Sequence, residues 1–125
     1  MEFGTLVMPN PSRVIDDTQY AEARGFSHAW FPDSHMIYGD VYACMALAAS
    51  QTQRIRLGTG VAVATNRMAP VHAHSIATIN ALAPGRIDFG FGTGHTARRV
   101  MGLPPVRLDE FREQLRRCRE GSRRP

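Results

Sequence analysis

Three short runs bring together groups that can do chemistry. Asp33, Ser34 and His35 form a polar cluster directly after a predicted strand, the end at which parallel α/β folds keep their reactive groups. Thr59, Gly60 and Val61 follow Gly58 in an apolar run, and a glycine pair within a strand implies close backbone approach. Gly92, Thr93, Gly94 and His95 offer exposed amides, a hydroxyl and an imidazole that can serve as a donor or acid. Two of these runs also have a plainer reading. Asp33 can cap a turn with His35 as a solvated loop residue, and Gly60 can be a simple β-bulge or packing glycine.

The elements that must position these runs alternate short β-rich stretches with longer stretches of helical spacing, the pattern of a parallel sheet with crossover helices. Strands are predicted over residues 3–8, 28–32, 55–63 and 87–91. Pro9-Asn10-Pro11 closes the first, Ser12 is the expected N-cap of the helix that follows, and Gly25 ends that helix. Helices are expected over 42–51, over 71–82 behind Pro70, and over 108–120. The third run of interest is a loop by this reading, and no fifth strand follows it. Four βα units of this kind form either an open doubly wound sheet or half of a closed barrel, and periodicity does not separate the two.

Composition excludes several classes of function. With 43% hydrophobic and 21% charged residues the chain has a core to build. The net charge of +4 sits at the carboxyl end, where residues 98–125 hold nine Arg against four acids. A basic helix with a single aromatic residue, Phe111, is a solvated face before it is a nucleic-acid site, so no nucleic acid is expected as a partner. Cys44 and Cys118 stand far apart with no CxxC pair, which indicates neither a disulfide framework nor zinc. His72 and His74, two apart on a helix, face different sides and make a poor metal pair. No apolar run approaches the ~18 residues of a membrane span, and the expected location is the cytoplasm. Residues 92–97 satisfy a GxGxxA dinucleotide fingerprint, but they follow the fourth strand instead of the first and lead to no acidic strand end.

Four stretches together resemble the bacterial-luciferase-like flavin and deazaflavin oxidoreductases, in particular the methylenetetrahydromethanopterin reductase branch. They are residues 25–35, residues 54–61, residues 76–82 with Gly85 and Arg86, and residues 90–94 followed by Leu103, Pro104 and Pro105. The resemblance implies the amino-terminal half of a (β/α)8 TIM barrel over residues 1–120, followed by a short Arg-rich tail at 121–125. It further implies a reduced ring cofactor, FMN or the deazaflavin coenzyme F420, held at the carboxyl ends of the strands, with hydride or oxygen passing to a small-molecule substrate.

By the same resemblance Asp33 would bind the cofactor and His35 would be catalytic, although Ser34 separates a pair that deazaflavin enzymes usually keep adjacent. Thr59, Gly60 and Val61 would back the ring through a bulge with a non-prolyl cis peptide. Gly92, Thr93 and Gly94 would bond the ring or its ribityl chain, and His95 would stand where some members have an acid. No metal is implied. Eight strands need about 250 residues, so a half-barrel of 125 is expected to form a homodimer or to pair with a carboxyl-terminal half. The alternative is a non-catalytic α/β module that dimerises without a cofactor.

Overall fold

The computed structural model describes residues 1–121, so the expected Arg-rich tail lies, apart from Gly121, outside the described residues. Strand β1 (Gly4–Leu6) leads into helix α1 (Val14–Ala23). Ser12 does not cap this helix. Asn10 organises the turn instead, its Oδ1 accepting the amide of Ser12 at 3.0 Å and its carbonyl accepting the amides of Arg13 and Val14. The two flanking prolines hold Asn10 in place, and the helix starts one residue later than a Ser12 cap would place it. Gly25, at φ 84°, ends it as expected.

After β2 (His28–Phe31) comes α2 (Val41–Gln51), capped by Asp40, whose carboxylate accepts the amides of Tyr42 and Ala43 at 3.0 Å each. The expected third strand divides into β3 (Arg56–Thr59) and β4 (Ala62–Val63), with a cis peptide bond at Gly60–Val61 between them. The fourth likewise divides into β5 (Ile87–Asp88) and β6 (Phe91–Gly92). Helix α3 (Ala69–Leu82) joins the two and α5 (Leu108–Gly121) packs on α3. A short helix, α4 (His95–Arg99), stands where a loop is expected; Gly94, left-handed at φ 72°, turns the chain into it.

All pairings are parallel, in the order β1-β2-β3-β5, and β4 with β6 continues the last pair beyond the bulge. In-register rows alternate between two unlike faces. Thr5, Ala29, Leu57 and Ile87 form one row, and Ala29, Leu57 and Phe31 are fully buried with Val14, Met45, Ala48 and Ile55 from the helices and their connections. Each large apolar side chain buried there contributes about 1.5–3 kcal/mol. The other face carries Leu6, Trp30, Gly58 and Asp88.

On this second face the Trp30 indole lies across glycines: a Cβ at Gly4 would stand 2.7 Å from its Nε1 and one at Gly58 2.4 Å from its Cζ3. Leu6 is 60% exposed there, and among the described residues the helices pack on the opposite face. A doubly wound sheet would carry helices on both faces. The arrangement is therefore that of a barrel segment. Among the described residues no helix is long and apolar enough to cross a membrane.

Candidate functional site

Asp33 emerges from β2 just beyond Phe31 and is buried, with its carboxylate fully engaged. Oδ2 accepts the amide of Val63 at 3.1 Å and Nη1 of Arg67 at 2.8 Å, while Nη2 of Arg67 lies 3.3 Å from Oδ1 and 2.8 Å from Oδ2 of Asp40. Burial alone would lower the pKa of Arg67, but its bonds to Asp33 and Asp40 outweigh that and hold it above its ordinary value. Burial likewise pushes Asp40 up, and the Ala43 amide and the Arg67 guanidinium pull it below the ordinary carboxylate value. Three charges thus clamp the end of β2 to the start of α2 and to the β4–α3 connection.

Beneath this clamp the guanidinium of Arg67 covers the ring of Tyr42 at 4.8 Å. The Tyr42 hydroxyl lies 2.6 Å from Nδ1 of the fully buried His72, whose Nε2 is 3.3 Å from the carbonyl of Ala64. A carbonyl only accepts, so Nε2 carries the proton and the Tyr42 hydroxyl donates to Nδ1. Burial, reinforced by the charge of Arg67, lowers the pKa of His72 and keeps it neutral, and burial pushes the Tyr42 phenol up. His74 is exposed, so the two histidines do face different sides.

The bulge and the glycine loop meet beside the clamp. Thr59 is fully buried, and its hydroxyl donates to the carbonyl of Gly90 at 2.6 Å, which makes it a strut between strands. A Cβ at Gly90 would stand 2.1 Å from the Thr59 carbonyl oxygen, so only glycine fits there. Val61 packs over Gly92, and Val63 over Gly94, with virtual Cβ distances of 2.5 Å and 2.3 Å. Val61 stays 42% exposed and so presents an apolar patch at the carboxyl ends of the strands. In the same loop as Gly92 the half-buried Thr93 has a hydroxyl that makes no hydrogen bond among the described residues.

Asp33, His35, Val61, Gly92 and Gly94 therefore belong to one neighbourhood, held together by Val63 and Arg67. Nδ1 of His35 lies 3.7 Å from Oδ1 of Asp33 and 3.2 Å from Nδ2 of Asn66. His95 is exposed on α4 and its side chain makes no hydrogen bond among the described residues. Arg67, Asn66, Arg98, Asp40 and Tyr42 are absent from the sequence-based candidates. Thr65-Asn66-Arg67 is nonetheless a polar cluster at a strand end, the same signal that singled out Asp33-Ser34-His35, and Asp40 is a recognisable cap before an apolar helix.

The luciferase-like monooxygenase family profile matches residues 2–123. The chain belongs to this family. Among curated relatives of this luciferase-like chain is a 5,10-methylenetetrahydromethanopterin reductase of Methanolobus tindarius, 34% identical over 99 residues that are 78% of this chain and 30% of the relative. An F420-dependent glucose-6-phosphate dehydrogenase of Kineococcus radiotolerans is 35% identical over 121 residues, 90% of this chain and 35% of the relative. The solved coenzyme F420 dependent tetrahydromethanopterin reductase of Methanopyrus kandleri superposes with a TM-score of 0.76 at 31% identity over 82% of this chain and 30% of its own. The oxygenating constituent of 3,6-diketocamphane monooxygenase from Pseudomonas putida, solved in complex with FMN, shares the fold with a TM-score of 0.78 at 20% identity, over 92% of this chain and 37% of its own. The luciferase-like chain thus spans about a third of the length of its relatives. These neighbours are barrel enzymes, and the four parallel strands correspond to part of such a barrel.

Proposed function

We propose that this chain forms the amino-terminal, cofactor-facing part of a luciferase-like oxidoreductase. It holds F420 or FMN against the carboxyl ends of β2, β4 and β6, and acts on a small-molecule substrate by transfer of hydride or oxygen. The observation that carries this reading is the exposed Val61 packed over Gly92 of the glycine loop. A flat tricyclic ring needs an apolar surface to rest on and a few donors for its carbonyl oxygens. Val61 provides the first, Thr93 and the glycine-loop amides provide the second, and the missing Cβ at Gly92 leaves room for Val61 to lie flat. When bound, the reduced ring supplies the hydride or the electrons for oxygen chemistry, and the chain binds and orients it.

The uncovered sheet face with Leu6 and Trp30 is covered, in this reading, by a second set of parallel strands that closes the barrel. The test is a titration of the purified chain with FMN and with F420, followed by ring absorbance and fluorescence, with light scattering on the same sample. Saturable binding of either ring at one equivalent per chain supports the reading. A well-folded chain that binds neither overturns the reading in favour of the non-catalytic module, and scattering then shows whether a second copy covers the open face.

A further inference from the structure

Arg98 lies on α4 with its Nε 2.6 Å from the carbonyl of Pro104, which fixes the direction of the guanidinium. Its Nη1 donates to Oγ1 of Thr65 at 2.6 Å and lies 3.3 Å from Oδ1 of Asn66. A guanidinium has only donors, so the oxygen of the Asn66 amide must face Arg98 and the amide –NH2 must face His35. That –NH2 in turn has only donors, and it lies 3.2 Å from Nδ1 of His35. Nδ1 must then accept, and in the neutral imidazole the proton resides on Nε2.

The competing influence is Asp33, whose Oδ1 is 3.7 Å from the same Nδ1 and would favour a proton there. That distance is beyond a hydrogen bond, and the Asp33 carboxylate is already compensated by Arg67 and the Val63 amide. The His35 side chain is one-third exposed, and Nε2 has no protein partner among the described residues.

We propose that Arg98, acting through Asn66, fixes His35 as an Nε2–H donor that receives a carbonyl-type oxygen of the bound small molecule. Arg98 and Asn66 are positioning residues in this scheme. A neutral imidazole that gave up this proton would become an imidazolate, so His35 polarises an oxygen by hydrogen bonding and does not deliver the proton itself. The same tautomer has no lone pair on Nε2, so His35 in this form is no base toward a substrate hydroxyl. The location of the ligand rests on the cofactor-site reading above, but the tautomer does not.

The test is nitrogen-15 NMR of the imidazoles in the full chain without cofactor, with His35 assigned by loss of its signals in His35→Gln. The expected result is a protonated Nε2 and an accepting Nδ1 at His35. Asn66→Asp presents only acceptors and should invert the tautomer to Nδ1–H. Arg98→Met, which frees the Asn66 amide to flip, should give a mixture, and Arg98→Lys should restore most of the Nε2–H form. Wild-type protein with its proton on Nδ1, or a folded Asn66→Asp variant with an unchanged tautomer, overturns the proposal. If the variants fail to fold, wild-type protein with its proton on Nδ1 still overturns the proposal. Addition of FMN or F420 distinguishes two sources of the oxygen: a shifted Nε2–H signal assigns it to the ring, and ring binding without a shift assigns it to the substrate.

Discussion

Nη1 of Arg67 lies 2.8 Å from Oδ2 of Asp33, a pairing across 34 positions that closes the end of β2 onto the connection behind β4. Both side chains are nearly inaccessible, 12% and 3% exposed. A buried pair of this kind is costly to break because one charge is left without compensation. Arg67→Met should therefore destabilise the chain by about 3–5 kcal/mol in urea unfolding. Arg67→Lys should recover only part of the loss, since an ammonium cannot serve Asp33 and Asp40 with a planar fork. A loss within experimental error in Arg67→Met would show that the clamp carries no stability.

The buried His72 sets a pH window. Its folded pKa is lowered by burial and by Arg67, so as pH falls below the ordinary histidine value the unfolded chain takes up a proton that the folded chain refuses. Stability should decline from about pH 6.5 downward until the folded value is reached. Tyr42→Phe, which removes the donor to Nδ1, should cost about 1–3 kcal/mol at neutral pH. Unfolding midpoints measured between pH 5 and 8 check both; a flat profile in wild-type protein contradicts the assignment of a buried neutral histidine.

Glu22 contributes a second, more acidic window. Its Oε1 accepts the amides of Gln53, Arg54 and Ile55 at 2.9, 2.5 and 2.9 Å. Burial pushes its pKa up, but these three bonds outweigh burial and lower it. The stabilisation is complete above the unfolded carboxyl value and is lost as pH falls through the lower folded value. Glu22→Ala should cost about 1 kcal/mol near neutral pH, because water can replace the carboxylate at this partly exposed turn. Its deficit should shrink below about pH 4, where wild type loses the same bonds.

Two glycines two positions apart should respond differently to alanine. At Gly90 the added Cβ meets the Thr59 carbonyl oxygen at 2.1 Å, a backbone atom that cannot step aside. Gly90→Ala should lose at least ~2 kcal/mol of stability. At Gly92 the added Cβ meets the end of the exposed Val61 side chain, which can rotate away. Gly92→Ala should unfold within about 1 kcal/mol of wild type. Equal losses at both positions would mean that the bulge is not packed as described.

Much of the fold was legible because the strongest signals are local. Gly25 stops a helix by its left-handed backbone, Pro70 opens one, and the spacing of β-rich runs marks four βα units. The division of the third and fourth strands was anticipated only as a bulge at Gly60, because pairing across β4 and β6 depends on contacts between residues 29 positions apart. Helix α4 was missed since five residues are too few for periodicity to register. At the site, strand-end clusters exposed Asp33 and His35. The partners Arg67, Asn66 and Arg98 arrive from other segments, and nothing in their local sequence says which acid or amide they meet. Ser12 was the wrong cap for α1 because Asn10, held between two prolines, supplies the acceptors first.

The central claim is that Val61 and the glycine loop cradle a flavin-type ring. The most direct test is a side-by-side fluorescence titration of wild type and Gly92→Ala with F420 and with FMN. The account predicts saturable binding of one of the two by wild type, weakened about tenfold or more in Gly92→Ala, a loss of ~1.4 kcal/mol, with circular dichroism unchanged. Equal affinity in the two proteins, or no binding by a folded wild-type chain, would contradict it.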